Sequence, residues 1–299
     1  MTDQHLSPTF SQRWWLAIRP KTLPAAIAPV ILGWAFAYRT GFFRAPAALA
    51  ALLIALLIQI GTNLVNDVVD FSKGADTEAR TGPTRVTQGG LLSPRQVWTG
   101  VFVSFGLAVL FGSYLVLIAG WPALVLGIAS LLAGGAYTAG PYPLAYHGLG
   151  GLFVLLFFGL VAVGGTVLVT ADMIPPDTWL GALAAGVLTV NILVVNNIRD
   201  INTDRAAGRT NLAVKFGRKA AEWQYALNLV IAYAVPILLV CIHQAAYWSL
   251  LPLISLPLGI NIWQILRSGQ VGSTLNPQLG RTARLLLIFC LLLAIGLII

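Results

Sequence analysis

Long apolar runs separated by short polar segments make up most of this chain. A helix needs about 20 mainly apolar residues to cross the roughly 30 Å hydrocarbon core of a bilayer. Runs of this length recur along the whole sequence, so the pattern predicts an all-α integral membrane protein. The nine predicted transmembrane helices cover residues 22–38, 46–66, 97–119, 122–140, 148–170, 179–198, 222–243, 246–266 and 282–299.

The charged residues sharpen this prediction by their number and their position. Only 9% of the residues are charged and 58% are hydrophobic, whereas a soluble domain carries about 25% charged residues. With a cytoplasmic N-terminus, 16 of the 18 Lys and Arg residues fall on the cytoplasmic side, and Arg39 and Arg44 fall outside. Because basic loops stay in the cytoplasm, this bias predicts a multi-pass protein of the plasma (inner) membrane. Basic loops facing an anionic leaflet also explain the net charge of +8 without nucleic acid.

No low-complexity linker divides the chain, so residues 1–299 are predicted to form one transmembrane domain with a polar tail at residues 1–18. Two long polar segments, residues 67–96 and 199–221, are both predicted to be cytoplasmic. Long loops in a compact bundle are often functional. These two segments are therefore the predicted catalytic loops, and nothing in the sequence indicates an obligate protein partner.

Acidic residues concentrate in those two segments, which hold six of the ten in the chain: Asp67, Asp70, Asp76, Glu78, Asp200 and Asp204. At helical spacing Asp67 and Asp70 converge with Asn63 and Asn66, and Asp200 and Asp204 converge with Asn196. Neighbouring carboxylates repel one another, and at a helix C-terminus they also meet the negative end of the helix dipole. A divalent cation relieves both effects, and oxygen ligands without nearby His or Cys suit Mg²⁺.

Basic residues are interleaved with these carboxylates: Lys73, Arg80, Arg85, Arg199, Arg205, Arg209 and Lys215. Carboxylates that bind Mg²⁺ and cations that bind phosphate oxygens together predict a site for a diphosphate. The absence of a G-x-x-x-x-G-K-[ST] motif excludes a Walker-type nucleotide site. The alternative interpretation is that the aspartates are solvated helix ends that pair with Arg80, Arg199 or Arg205.

An internal repeat is indicated by polar residues that recur at one offset. Asn66 and Asp70 correspond to Asn196 and Asp200, each displaced by 130 residues, at the ends of the second and sixth predicted helices. Four predicted helices lie in each repeat, so the repeat would be parallel, with the ninth helix extra.

The combined motifs resemble those of the UbiA-type superfamily of intramembrane prenyltransferases, and within it the branch that acts in menaquinone synthesis. The matching segments are Arg19-Pro20-Lys21-Thr22-Leu23-Pro24, Asn66-Asp67-Val68-Val69-Asp70, Lys73-Gly74-Ala75-Asp76, Gly82-Pro83-Thr84-Arg85, Gly140-Pro141-Tyr142-Pro143-Leu144-Ala145-Tyr146, Asn196-Asn197-Ile198-Arg199-Asp200-Ile201-Asn202-Thr203-Asp204 and Ala207-Gly208-Arg209. The resemblance implies a bundle of nine helices around a central cavity. Two departures stand out: Gly74 replaces the expected last aspartate of the first motif, with Asp76 as its substitute, and Gly151 stands where that branch carries an acidic residue.

The activity implied by the resemblance is Mg²⁺-dependent transfer of a polyprenyl group from its diphosphate to 1,4-dihydroxy-2-naphthoate. The ring carboxylate is lost, and the products are demethylmenaquinone and diphosphate. The implied catalytic metal ligands are Asp67, Asp70, Asp76, Asp200 and Asp204, and the implied substrate-binding residues are Asn63, Asn66, Lys73, Arg85, Asn196, Arg209, Lys215, Arg19, Lys21, Tyr137 and Tyr142. Arg19 and Lys21 are the candidates for binding the acceptor carboxylate, although setting the topology explains them as well. Tyr137 and Tyr142 are the candidates for facing the allylic cation.

Several alternatives remain within and outside this family. Related enzymes transfer phytyl chains, or use 4-hydroxybenzoate, haem or an archaeal ether lipid as acceptor. An ion-coupled transporter would place acidic residues near helix centres, whereas these lie at helix ends. A CDP-alcohol phosphotransferase would gather its aspartates in one segment, whereas these are divided between two.

Overall fold

A computed structural model describes residues 8–74, 82, 85–137, 139, 146–243 and 245–299. The described part of the chain is helical, apart from loops and one isolated bridge between His147 and Thr210. The helices are α1 (Phe10–Ile18), α2 (Pro24–Tyr38), α3 (Ala45–Ser72), α4 (Pro94–Ala119), α5 (Trp121–Ala136), α6 (Gly150–Ala171), α7 (Thr178–Arg199), α8 (Ile201–Ala206), α9 (Leu212–Phe216), α10 (Arg218–His243), α11 (Tyr247–Arg267) and α12 (Gly272–Ile298).

Seven helices of the described residues are long and apolar enough to cross a membrane, and an eighth span results if α1 and α2 are counted as one bent unit. Two of the predicted spans are shorter than expected. The span predicted at 22–38 corresponds to α2, which has 15 residues, and the span predicted at 122–140 corresponds to α5, which has 16. The all-helical membrane architecture is confirmed, with seven to eight candidate spans.

The N-terminal segment differs from the predicted polar tail, because residues 10–18 form α1. Thr9 and Gln12 form a reciprocal capping box that starts the helix, and the ring of Trp14 packs where a Cβ on Gly100 of α4 would lie. The helix ends at Ile18. The next residue, Arg19, has a left-handed φ of 57°, and the chain then bends by 54° into α2. Residues 10–18 are therefore part of the packed bundle.

Small residues allow close packing at the centre of the bundle, where α7 is the most buried of the candidate spans. A Cβ on Gly159 of α6 would lie 2.7 Å from the carbonyl oxygen of Ala182 and 2.9 Å from Cα of Gly186, both in α7. Only glycine fits such a contact, and small residues at helix contacts are typical of membrane bundles. The contact lies in the π-helical part of α6, Leu155–Gly164.

Two ion pairs join the loops at one end of the bundle. Arg39 binds Asp177 at 2.6 Å, and Arg44 contacts Asp172 at 3.5 Å. These pairs tie the α2–α3 connection to the α6–α7 connection. Asp67 and Asp70 lie near the opposite end of α3, and Asp200 directly follows the opposite end of α7.

Both predicted catalytic loops are partly helical. Helix α3 continues to Ser72, six residues beyond the predicted span, so Asp67 and Asp70 lie in its last turns. The second segment contains the short helices α8 and α9.

Candidate active site

Asp70 lies near the end of α3 and contacts polar side chains from three separate segments of the chain. Its Oδ2 accepts a hydrogen bond from Nη2 of Arg85 at 2.7 Å, and the hydroxyl of Tyr146 lies 3.4 Å from its Oδ1. Nη2 of Arg209 lies 3.7 Å from the same Oδ1. The Asp70 and Arg85 side chains are only 5% and 6% exposed. Asp70 is therefore a buried carboxylate held between guanidinium groups.

Asp67 lies three residues earlier on α3 and has different partners. Its Oδ1 accepts a hydrogen bond from the backbone N–H of Thr87 at 2.9 Å. Its Oδ2 accepts one from the N–H of Val86 at 3.2 Å and one from Nη2 of Arg19 at 3.3 Å. The side chain is 1% exposed. Both oxygens are thus occupied by protein donors.

The second cluster lies where α7 ends and α8 begins. Asp200 forms a two-pronged pair with the preceding residue, Arg199, whose Nε and Nη2 lie 2.8 and 2.5 Å from its two oxygens. Nη1 of Arg199 also donates to Oδ1 of Asn276 at 3.0 Å, which fastens this corner to α12. The pairing of Asp200 with Arg199 matches the alternative considered from the sequence, in which the aspartates pair with nearby arginines.

Asp204 lies in α8, four residues after Asp200. Its Oδ2 accepts a hydrogen bond from Nδ2 of Asn211 at 2.9 Å, and Nη1 of Arg209 lies 3.6 Å from its Oδ1. Burial raises the pKa of Asp204 to about 6, and the charge of Asp200 adds to this, while Arg209, the Asn211 hydrogen bond and Arg199 oppose it. A carboxylate with a raised pKa gains from any cation placed beside it.

Arg209 connects the two clusters. One guanidinium lies 3.7 Å from Asp70 and 3.6 Å from Asp204, on different nitrogens. It also donates to the Tyr146 hydroxyl at 2.7 Å and lies over the Tyr146 ring, 4.4 Å from the centroid. Nζ of Lys73 lies 5.5 Å from the centroid of the same ring. Carboxylates that are far apart in the sequence thus face one shared cation.

Asn63 and Arg19 have structural contacts close to the site. Nδ2 of Asn63 donates to the carbonyl of Ile18 at 3.0 Å and to Oγ1 of Thr22 at 2.9 Å, and the residue is 5% exposed. These bonds hold the α1–α2 bend against α3. Asn63 and Arg19 thus have partners within the protein, and their predicted roles in substrate binding stay predictions.

The remaining predicted residues are distributed around this centre. Asn66 and Asn196 are half-buried, whereas Lys73, Lys21 and Lys215 are exposed. Nζ of Lys215 lies over the ring of Phe216, 5.3 Å from its centroid. Asp76 and Tyr142 lie outside the described residues, so their predicted roles stay predictions.

Two residues of the site were absent from the sequence prediction: Tyr146 and Asn211. Tyr146 ends the Gly140–Tyr146 segment that carried part of the resemblance, so its position was a usable signal. Asn211 had no such signal, because its contact with Asp204 depends on the turn between α8 and α9.

A cleft of about 290 Å³ lies beside the second cluster. Asn211 forms part of its wall and also contacts Asp204. Its other polar lining residues are Tyr137, Asn197, Thr210, Gln224 and Asn228. Tyr137 was predicted to face an allylic cation, and it lies in the wall of this cleft.

The donor chemistry of the site fits Mg²⁺ with an anionic ligand. Among the described residues, no three Asp, Glu, His or Cys side chains are close enough together to hold a metal ion. Asp70, Asp200 and Asp204 each pair with at least one arginine. Nε of Arg209 is buried without a hydrogen-bond partner in the described part of the chain, so this group has a donor available for an anion.

The fold and site describe a multi-pass membrane protein with carboxylates and guanidinium groups at one end of its bundle. The sequence pattern of the UbiA prenyltransferase family matches residues 26–275. The chain belongs to the UbiA prenyltransferase family, and it is therefore a transferase and a multi-pass integral membrane protein.

Relatives with a stated activity match along nearly the whole chain. The chain is 35% identical to a 1,4-dihydroxy-2-naphthoate octaprenyltransferase of Escherichia coli (strain K12), over 99% of this chain and 97% of that protein. It is also 35% identical to the enzyme of the same name from Mycobacterium tuberculosis, over 96% of both chains.

Solved structures agree on the fold. The apo structure of a UbiA homolog from Aeropyrum pernix K1 matches with a TM-score of 0.68 at 18% identity, over 91% of this chain and 96% of that one. A UbiA homolog from Archaeoglobus fulgidus bound to GPP and Mg²⁺ matches with a TM-score of 0.62 at 16% identity, over 94% and 99%. At these identities the likeness shows the fold alone.

Proposed function

We propose that this protein transfers a polyprenyl group from polyprenyl diphosphate to 1,4-dihydroxy-2-naphthoate, releasing carbon dioxide and diphosphate and forming the hydroquinone form of demethylmenaquinone. Near-full-length similarity to octaprenyltransferases of that name supports the acceptor and the donor class. The contact of Arg209 with both Asp70 and Asp204 carries the proposal at the level of the site. A diphosphate bound at this guanidinium would be within reach of both aspartate motifs.

Asp70, Asp200 and Asp204 would hold Mg²⁺, and Asp76 is a further candidate ligand. When bound, Mg²⁺ neutralises charge on the diphosphate leaving group. Arg85 and Arg209 already contact Asp70. With the charge of Asp70 balanced by Mg²⁺, both guanidinium groups could bind phosphate oxygens by charge-assisted hydrogen bonds.

The bond that breaks joins C1 of the prenyl chain to the diphosphate oxygen, which leaves with the electron pair. A carbon of the electron-rich naphthoate ring then forms the new bond to C1. The bond between the ring and the carboxylate breaks, carbon dioxide leaves, and the bonding electron pair stays with the ring, so the product is a hydroquinone. Tyr137 and Tyr142 remain the proposed aromatic groups for the allylic cation. Lys21 remains a candidate for the acceptor carboxylate, because it is exposed near the α1–α2 bend.

The proposed architecture has nine spans around a central cavity, in two four-helix halves with one additional helix. In this arrangement α2 and α5 each count as a short span. The protein lies in the plasma (inner) membrane, and its N-terminus lies in the cytoplasm. The grouping of Arg39 and Arg44 with the α6–α7 loop at one end supports the relative arrangement of these loops.

The orientation can be tested by cysteine labelling in a Cys241→Ser background, because Cys241 is exposed and Cys290 is buried. Met173→Cys in the α6–α7 loop should react with an impermeant maleimide from outside intact cells. Ser268→Cys in the α11–α12 loop should react only after the membrane is opened. The reverse pattern would overturn the proposed orientation.

The activity is tested with purified protein and Mg²⁺, offering farnesyl, longer polyprenyl and phytyl diphosphates. Each donor is combined with either 1,4-dihydroxy-2-naphthoate or 4-hydroxybenzoate. We expect a prenylated, decarboxylated naphthol product from a polyprenyl donor. Prenylation of 4-hydroxybenzoate alone would overturn the acceptor assignment, and a preference for phytyl diphosphate would overturn the donor assignment.

A further inference from the structure

Asp67 and Asp70 lie three residues apart on α3 and were both predicted to bind metal, but their surroundings differ in kind. Asp67 accepts hydrogen bonds from two consecutive backbone N–H groups, those of Val86 and Thr87. Asp70 contacts only side chains in the described part of the chain, namely those of Arg85, Arg209 and Tyr146. Side chains can rotate away when a ligand arrives, whereas backbone groups move only with the chain.

Moving the Asp67 carboxylate onto a metal ion would break these backbone bonds. The side chain is 1% exposed, so the N–H groups of Val86 and Thr87 would have to find other acceptors in a buried place, which is unfavourable. Arg19 would also lose its 3.3 Å contact with Oδ2. Asp67 is therefore poorly suited to be a metal ligand.

The bonds to Val86 and Thr87 determine the position of the residue just before them. Arg85 begins a tight segment in which the N–H of Gly89 bonds to the Arg85 carbonyl at 2.9 Å and the N–H of Leu91 bonds to that of Val86 at 2.9 Å. The Asp67 carboxylate attaches this segment to α3. The side chain of Arg85 then reaches Asp70 at 2.7 Å.

We propose that Asp67 is a positioning residue that fixes the backbone after Arg85, so that Arg85 is presented to Asp70 and to the diphosphate. The inference rests on the proposed function, because it assumes a diphosphate at this site. It separates the acidic residues of α3 into two roles. Asp70 is available to a metal ion, and Asp67 holds a phosphate-binding arginine in place.

Ion binding provides the first test. Mn²⁺ affinity is measured by electron paramagnetic resonance with the full-length protein in detergent, at a concentration of inorganic diphosphate that saturates every variant. Asp67→Asn should bind Mn²⁺ within about twofold of the unaltered protein, since it removes no ligand. Asp70→Asn should bind at least about tenfold more weakly. Equal losses in the two variants would overturn the inference.

A double-mutant cycle provides the second test, with the unreactive donor farnesyl thiodiphosphate as probe. Asp67→Asn and Arg85→Gln should each weaken its binding by about tenfold, and the double variant should bind no more weakly than Arg85→Gln alone. A general structural defect would instead add to the loss of Arg85. Full additivity of the two effects would therefore overturn the inference.

Asp67→Glu guards against a folding failure of Asp67→Asn, because it retains the charge that pairs with Arg19. Its longer side chain should displace the Arg85–Thr87 backbone, weakening thiodiphosphate binding without changing Mn²⁺ affinity by more than about twofold. A loss of Mn²⁺ affinity in this variant as large as in Asp70→Asn would contradict the inference. Failure of the unaltered protein to bind the thiodiphosphate would overturn the proposed function and this inference together.

Discussion

The two aspartate clusters have similar sequence spacing but different physical settings. The first is built into the continuous helix α3, and its Asp67 and Asp70 side chains are 1% and 5% exposed. The second lies at the break between α7 and α8, where Asp200 and Asp204 are 24% and 13% exposed. A carboxylate on a continuous helix has a fixed backbone position, whereas one at a break between helices can move with its loop. We conclude that the first cluster is a rigid anchor and the second is the more adaptable half of the site.

The largest effect is expected at the anchor. Asp70→Asn keeps the size of the side chain but removes the charge that meets Arg85, Arg209 and the proposed Mg²⁺. Loss of electrostatic stabilisation of a developing charge typically costs on the order of 10²–10³ in rate. Turnover of the purified variant at saturating Mg²⁺ should fall by that amount.

Asp172→Asn is the matched control for this substitution. Asp172 is also paired with an arginine, Arg44, but it lies at the opposite end of the bundle and is 60% exposed. Its turnover should stay within about twofold of the unaltered enzyme, since an exposed pair contributes little. Comparable losses in both variants would contradict a specific role for Asp70.

Arg209 should have the next largest effect, because it joins the two clusters. Arg209→Gln should lower kcat/KM for the prenyl diphosphate by on the order of 10–100-fold, the cost of hydrogen bonds to charged groups. Arg209→Lys should recover only part of this, since one ammonium cannot match a fork that contacts Asp70 and Asp204 through different nitrogens. Steady-state kinetics with varied donor measures both effects.

The neighbouring exposed arginine, Arg205, is the control. Arg205→Gln removes one positive charge four residues before Arg209 and should leave kcat/KM nearly unchanged. If it matched Arg209→Gln, the effect would come from net charge and the bridging role of Arg209 would be wrong.

The smallest effect concerns the pH dependence of stability in the adaptable cluster. The pKa of Asp204 rises from 3.8 to about 6 on folding. The folded state therefore binds more protons than the unfolded state between these values, so the contribution of Asp204 to stability is greatest in acid and is lost as the pH rises through about 6. Asp204→Asn removes this dependence.

Thermal unfolding in the presence of EDTA provides the measurement. The melting temperatures of Asp204→Asn and of the unaltered protein are compared at pH 5 and at pH 8. The melting temperature of the variant relative to the unaltered protein should be higher at pH 8 than at pH 5, by a few degrees. A difference between the two proteins that is independent of pH would show that the burial of Asp204 does not favour its protonated form.

Much of the fold followed from the sequence, because membrane helices are encoded by length and hydropathy. Predicted spans such as 97–119 and 179–198 coincide closely with α4 and α7. The hydropathy pattern was less informative where tertiary packing determines whether a segment is helical and where a helix ends. It could not indicate that α3 continues beyond its apolar run to Ser72, or that residues 10–18 form a helix that packs against α3 and α4.

The site was predictable in its membership but less so in its contacts. Spacing identified Asp70, Asp200 and Asp204, and Arg209 was named among the neighbouring cations. Helical periodicity placed Asp67 beside Asp70, but it could not show that Val86 and Thr87 direct their N–H groups at Asp67. Such contacts depend on the path of a loop, and a loop has no periodicity from which its path can be calculated.

The most direct test of the account is whether both clusters act on one diphosphate. Asp70→Asn, Asp200→Asn and the double variant are compared in turnover with Mg²⁺, after thermal unfolding shows that all three are folded. If the clusters act as a unit, each single substitution should lower the turnover rate by a factor on the order of 10²–10³. The double variant should be only slightly slower than either single variant, because one substitution already removes most of what the two clusters contribute together. Near-normal turnover of Asp200→Asn, or a double variant that shows the product of the two single losses, would contradict the shared site.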